Sequence, residues 1–126
     1  MKTLAVRFYN EGYNCSQCII KAFEEKYDYN IEDRSYSALS AVNTGFGVGM
    51  VCSALVAGIL IFGLVFDEVT AHRARLRLLA SFDAYFDSLN CSGLDSIKDS
   101  SSGCEKIISK AAYFTETILL EEGFRL

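Results

Sequence analysis

The chain has 126 residues, 51% of them hydrophobic and 22% charged, with a net charge of −4, which is enough for one domain with a real core and too few for two. A net negative charge gives no footprint for general nucleic-acid binding. Nine Phe, seven Tyr and no Pro favour uninterrupted helices over turn-rich β structure.

A short helical segment is expected at residues 3–9. The stretch NEGYNCSQCIIKAF, residues 10–23, then carries a strong helix start. Asn14 is a good N-cap, Gln17 three positions on completes a capping box, and Tyr13 with Cys18 makes a hydrophobic staple. Cys15, Cys18, Ile19, Ala22 and Phe23 follow i, i+3, i+4, i+7, i+8 and form one apolar face, predicting a helix over 14–27. Cys15 falls in its first turn, where free N–H groups and the helix dipole favour an anion, an arrangement that lowers a thiol pKa. Two cysteines on an apolar face are also explained as core filler, because free Cys is among the most buried residue types.

A second helix is predicted over 32–42, ending at the glycine-rich TGFGVGM of 44–50. That run lacks the Lys-Ser/Thr of a phosphate loop. The third, over about 50–66, is apolar on every face. Residues 48–66 carry no charge, which meets the length rule for a membrane span. Glycines dilute the apolarity, basic clusters and Trp anchors are missing from the ends, and a helix of ~16 residues reaches only ~24 Å against a ~30 Å hydrocarbon core. The centre of a small bundle needs just such a helix, so no membrane insertion is expected.

A fourth helix, 67–89, places Val69, Leu76, Leu79, Phe82, Phe86 and Leu89 at helical spacing. His72 and the nearby Arg73, Arg75 and Arg77 spread round it as a solvated face. The polar run 91–103 is a loop with room for one turn. Ser102 with Glu105 reads as a capping box for a last helix to 122, and Gly123 stops it. The expected fold is all-α: one domain, 1–126, a compact bundle of about five helices around the apolar central helix at about 50–66. Four uncharged residues between Lys2 and Arg7 are too few for a secretory apolar region, so a cytoplasmic, reducing location is expected, where Cys serves more often as ligand, catalyst or filler than as disulfide.

Cys15, Cys52 and Cys104 fall in the first turns of three predicted helices, and Cys91 lies just past the end of a fourth. Helix ends that converge in an antiparallel bundle would bring them together. Crowded thiolates repel and stay protonated without a cation, and each helix N-terminus supplies only about half a charge. A metal centre or a disulfide relieves the conflict. Four thiolates suit an iron–sulfur cluster. Zinc, or no metal, is the alternative, although structural zinc usually shows paired Cys-x-x-Cys knuckles.

FYNEGYNCSQCIIKAF, GFGVGMVCSALVAG, FDSLNCSGL and Cys104 together resemble the C-GCAxxG-C-C family of redox-active helical proteins. The resemblance puts the four family cysteines at Cys15, Cys52, Cys91 and Cys104. It departs at CSALVA, where Ser53 and Ala57 replace the two motif glycines, and at Cys18, where the family usually has a small apolar residue. Relatives of this domain occur in a cytochrome with both haem and an iron–sulfur cluster, which implies a cluster-holding role; no Cys-x-x-Cys-His is present for haem attachment. The expected function is electron transfer or redox sensing with an unidentified redox partner protein, and a homodimer is compatible with it. The competing readings are a thiol–disulfide oxidoreductase with Cys15 as nucleophile and Cys18 as resolving thiol, and a structural, partner-binding domain with all five cysteines buried.

Overall fold

The computed structural model describes residues 1–98 and 103–125. Among these it is all-α, with six α-helices: α1 Lys2–Asn10, α2 Cys15–Tyr27, α3 Asp33–Ala38, α4 Ser53–Val65, α5 Glu68–Phe86 and α6 Glu105–Glu121. A wide glycine turn, Gly45–Gly49, precedes α4, and a single 3-10 turn, Ser92–Leu94, follows α5.

The start of α2 forms as its sequence requires. The Asn14 side-chain oxygen accepts from the N–H groups of Ser16 at 3.0 Å and Gln17 at 2.9 Å, and the Gln17 side chain accepts from the Asn14 N–H at 3.3 Å. Both halves of the capping box are thus present. The same two side chains explain why α3 stops four residues short of the expected end. Asn14 donates to the Leu39 carbonyl at 3.1 Å and Gln17 to the Tyr36 carbonyl at 3.1 Å. Carbonyls that another helix turn would have used are satisfied from α2 instead.

The central helix also begins later than expected. Met50 to Cys52 do not coil; they pair with the chain leaving α5, through Cys91 N–H to Met50 C=O at 2.6 Å and Cys52 N–H to Leu89 C=O at 2.9 Å. An isolated antiparallel bridge, Val51 to Asn90, lies between these bonds. From Ser53 onward α4 packs against α2, α5 and α6. Its small residues permit this: a Cβ on Gly58 would stand 2.6 Å from Thr115 Oγ1 on α6 and 2.8 Å from Leu78 on α5. Burial is one-sided nonetheless. Leu55, Ile61 and Phe62 are fully buried, whereas Leu60 and Leu64 are 44% and 51% exposed. At thirteen residues and ~1.5 Å each, α4 reaches only ~20 Å. No helix among the described residues is long and apolar enough to cross a membrane.

At the far end, α6 closes on α5 by ion pairs, Arg73 to Glu122 at 2.7 Å and Arg77 to Glu122 at 3.1 Å, with Arg77 also on Glu121. Arg73 and Arg77, read from the sequence as part of a solvated face, thus meet acids at the end of a neighbouring helix. The capping box expected from Ser102 falls outside the described residues.

Candidate functional site

Cys15, Cys52, Cys91 and Cys104 line one pocket, together with Thr44, Ser53, Leu94, Lys98, Ile107 and Ile108. It encloses about 10 Å³, room for roughly one water. No carboxylate and no imidazole is among its described lining residues. His72, out on α5 beside Glu68 at 3.9 Å, is not part of it.

Each cysteine arrives at the end of an element. Cys15 is the first residue of α2. Cys52 and Cys104 hold the N-cap positions of α4 and α6 rather than the first-turn sites expected; for Cys52 the reason is that the chain before α4 is tied to the α5 exit rather than coiled. Cys91 opens the 3-10 turn. The paired segments 50–52 and 89–91 therefore set the Cys52–Cys91 side of the pocket. The α1 residue Tyr9 sets the Cys104 side: its hydroxyl accepts the Cys104 N–H at 3.2 Å, and a Cβ on Gly103 would lie 2.5 Å from that oxygen.

The thiols are electrostatically unequal. Cys104 is drawn down to about 6, first by a hydrogen bond from the Cys15 thiol, against the effect of burial, and with help from Lys98 and Tyr9. Cys15 moves strongly upward: it is the proton donor to Cys104, is buried, and feels the neighbouring sulfurs. This reverses the lowering expected at Cys15 from its first-turn position. The dipole of one helix loses to a second thiolate in direct contact. Burial pushes Cys52 up to about 11 despite two backbone N–H groups that favour its thiolate.

Cys18 stands apart. It is fully buried, does not line the pocket, and gives its S–H to the Cys15 carbonyl at 3.2 Å. Burial raises its pKa to about 12. The two cysteines of the Cys-x-x-Cys stretch are thus not joined thiol to thiol; the partner of Cys15 is Cys104.

Lys98 was not visible as a site residue from motif reasoning. Its ammonium donates to Cys91 Sγ at 3.1 Å, to the Cys91 carbonyl at 3.2 Å and to Asp95 at 2.8 Å, which uses all three of its protons. One signal was available: it is the sole basic residue between Arg77 and Lys106, and it sits between Cys91 and Cys104. Tyr9 offered no such signal, since its role depends on α1 packing against α6.

Among the described residues, no group of three or more His, Cys, Asp or Glu side chains is arranged to hold a metal ion. A family model described as "Putative redox-active protein (C_GCAxxG_C_C)" matches residues 13–118, most of the chain. The chain belongs to the C-GCAxxG-C-C family. No curated protein and no solved structure matches it. The stretch that matches the C-GCAxxG-C-C model contains all four pocket cysteines as well as Ser53 and Lys98. It leaves out Tyr9, so the α1 support of Cys104 lies outside the part this chain shares with the C-GCAxxG-C-C model.

Proposed function

We propose that this protein is an electron-transfer or redox-sensing protein whose Cys15, Cys52, Cys91 and Cys104 hold an iron–sulfur cluster. One observation carries the reading: four cysteines from four separated parts of the chain converge on a single pocket, with no competing acid or imidazole among its described lining residues. The donor set fits such a cluster, which is bound by four thiolates. The side chains as they stand do not surround an ion, and the pocket is closed, so taking up the cluster requires the thiols to turn from one another toward it. When bound, the cluster supplies a one-electron couple whose potential depends on net charge and on hydrogen bonds to sulfur.

The chain's own residues would serve that couple in three ways. Three of the four sulfurs sit at the N-termini of α2, α4 and α6, where free N–H groups and the helix dipoles offset negative charge. Lys98 adds a fixed positive charge at Cys91. Leu94, Ile107 and Ile108, all buried, keep water from the lining. A reducing, cytoplasmic setting and a redox partner protein belong to the same proposal.

Purification without oxygen, with iron and acid-labile sulfide assayed per chain, tests it. Stoichiometric iron and sulfide, before or after reconstitution, is the expected result. A colourless protein that takes up neither refutes the cluster.

A second reading is favoured by Cys15 and Cys104 lining the same pocket with opposite shifts, Cys104 down and Cys15 up. In it the Cys104 thiolate and the Cys15 thiol form a disulfide, passing two electrons and the Cys15 proton to a disulfide acceptor, whose S–S bond breaks to leave one thiol and one thiolate. Disulfide mapping after oxidation with glutathione disulfide separates the two: a Cys15–Cys104 link in iron-free protein supports this one.

A further inference from the structure

Of the two described alcohols that line the pocket, Thr44 and Ser53, only Ser53 is buried. It stands at the first position of α4, directly after Cys52, and is only 2% exposed. It lines the same pocket as the four cysteines, and its hydroxyl has no hydrogen-bond partner. A buried hydroxyl without a partner costs free energy, and such groups in a folded protein call for an explanation such as a missing ion or group. The position is also one where a residue without a hydroxyl fits the motif: the C-GCAxxG-C-C pattern has alanine after its second cysteine, so its two glycines fall at Val51 and Val56 rather than at Ser53 and Ala57, where the sequence reading puts them. This chain has placed a donor where that pattern has none, and packing gives no reason for it, since alanine would fill nearly the same space without stranding an O–H.

We propose that the Ser53 hydroxyl is a hydrogen-bond donor to the sulfur-rich centre held by the four cysteines. The inference rests on the cluster reading above. A hydroxyl carries one proton to donate, and the sulfur atoms of a thiolate-held cluster are acceptors whose hydrogen bonds help set its potential. A donor stabilises the more negative, reduced state, so Ser53 raises the potential and makes the centre easier to reduce. The electron comes from the titrant, no covalent bond is made or broken, and the hydroxyl keeps its proton throughout. In the cluster-free protein the same hydroxyl is a liability. Ser53 therefore acts with opposite sign in the two states, which a residue with a merely structural role does not do.

The experiment compares wild type with S53A and S53T, each prepared metal-free and each reconstituted anaerobically with ferrous iron and sulfide. Metal-free S53A should be more stable than wild type to urea. Loaded S53A should have a lower midpoint potential in a dithionite titration, by at least a tenfold change in the oxidised-to-reduced equilibrium, about 59 mV for one electron. S53T keeps the hydroxyl and should stay near the wild-type potential if it loads. An unchanged potential in loaded S53A overturns the proposal and leaves the cluster reading intact. So does a metal-free S53A less stable than wild type, which would mean that the hydroxyl already has a partner. Wild-type protein that takes up no iron overturns both.

Discussion

Replacing Gly45 by Ala should damage the protein far more than the same change two residues later at Gly47. Both glycines are left-handed, with φ of +57° and +80°, so alanine at either costs roughly 1–2 kcal/mol from backbone conformation alone. They differ in what a methyl group would meet. At Gly47 nothing lies within 4 Å, whereas at Gly45 the new carbon would fall 2.3 Å from the Met50 nitrogen and 2.4 Å from its carbonyl oxygen. Backbone atoms cannot swing aside, so the turn must open. Opening breaks Met50 N–H to Gly45 C=O at 3.0 Å and loosens Cys91 N–H to Met50 C=O at 2.6 Å. At about 1 kcal/mol each, these losses bring G45A to about 3–4 kcal/mol against about 1–2 for G47A. Urea denaturation followed by circular dichroism measures the difference directly. In thermal melts about 4 °C per kcal/mol is expected for a chain of this size. Because Met50 holds the segment that carries Cys91, G45A should also disturb the four-cysteine pocket, while G47A should leave it intact. Equal destabilisation by the two variants, within about 0.5 kcal/mol, would refute the assignment of the Gly45–Met50 contact.

Cys18→Ala should keep any bound cluster, with a packing cost on the order of 1 kcal/mol, whereas Cys15→Ala should lose it or leave it labile; metal content of the two purified variants decides. In metal-free protein, alkylation of Cys104 by iodoacetamide should rise with pH around a midpoint of about 6, and Cys15→Ala should move that midpoint upward by removing the hydrogen bond that favours the thiolate. Lys98→Met should lower the midpoint potential of the site, while Lys98→Arg should largely preserve it, because the charge held at 3.1 Å from Cys91 Sγ favours the reduced state. Away from the site, burial works against the Glu116 carboxylate, but hydrogen bonds from Lys26, Tyr27 and the Met1 amino group outweigh it and bring its pKa down from 4.5 to about 2. A depressed carboxyl pKa contributes stability above its unfolded value that is lost as pH falls from about 4.5 through about 2, so Glu116→Gln should flatten the acid limb of the stability curve.

Much of the fold could be read locally. The Asn14–Gln17 capping box and the apolar spacing of Cys18, Ile19, Ala22 and Phe23 needed only neighbouring residues, and all of them lie where expected. Helix ends were less legible where a distant segment competes for the backbone. Residues 50–52 were expected to coil and instead bond to residues 89–91; α3 ends early because Asn14 and Gln17 claim its carbonyls. Neither partner is visible from the local sequence. The convergence of the four cysteines followed from helix-end placement, since ends are where an antiparallel bundle brings distant residues together. Their charge states did not follow. A first-turn position argued for a low pKa at Cys15, but the deciding contact is with Cys104, nearly ninety residues away along the chain. Lys98 and Tyr9 were missed for a similar reason: a cation or hydroxyl is read as surface until the fold sets it against a sulfur.

The central claim is that the four pocket cysteines form one redox centre, and a reductive titration of anaerobically reconstituted protein, followed by visible absorption, tests it most directly. Wild type and Cys18→Ala should show the same reversible couple, and Cys15→Ser, Cys52→Ser, Cys91→Ser and Cys104→Ser should each abolish or strongly shift it. A wild-type couple that persists unchanged in any one of those four serine variants, or a couple lost only on changing Cys18, would contradict the account.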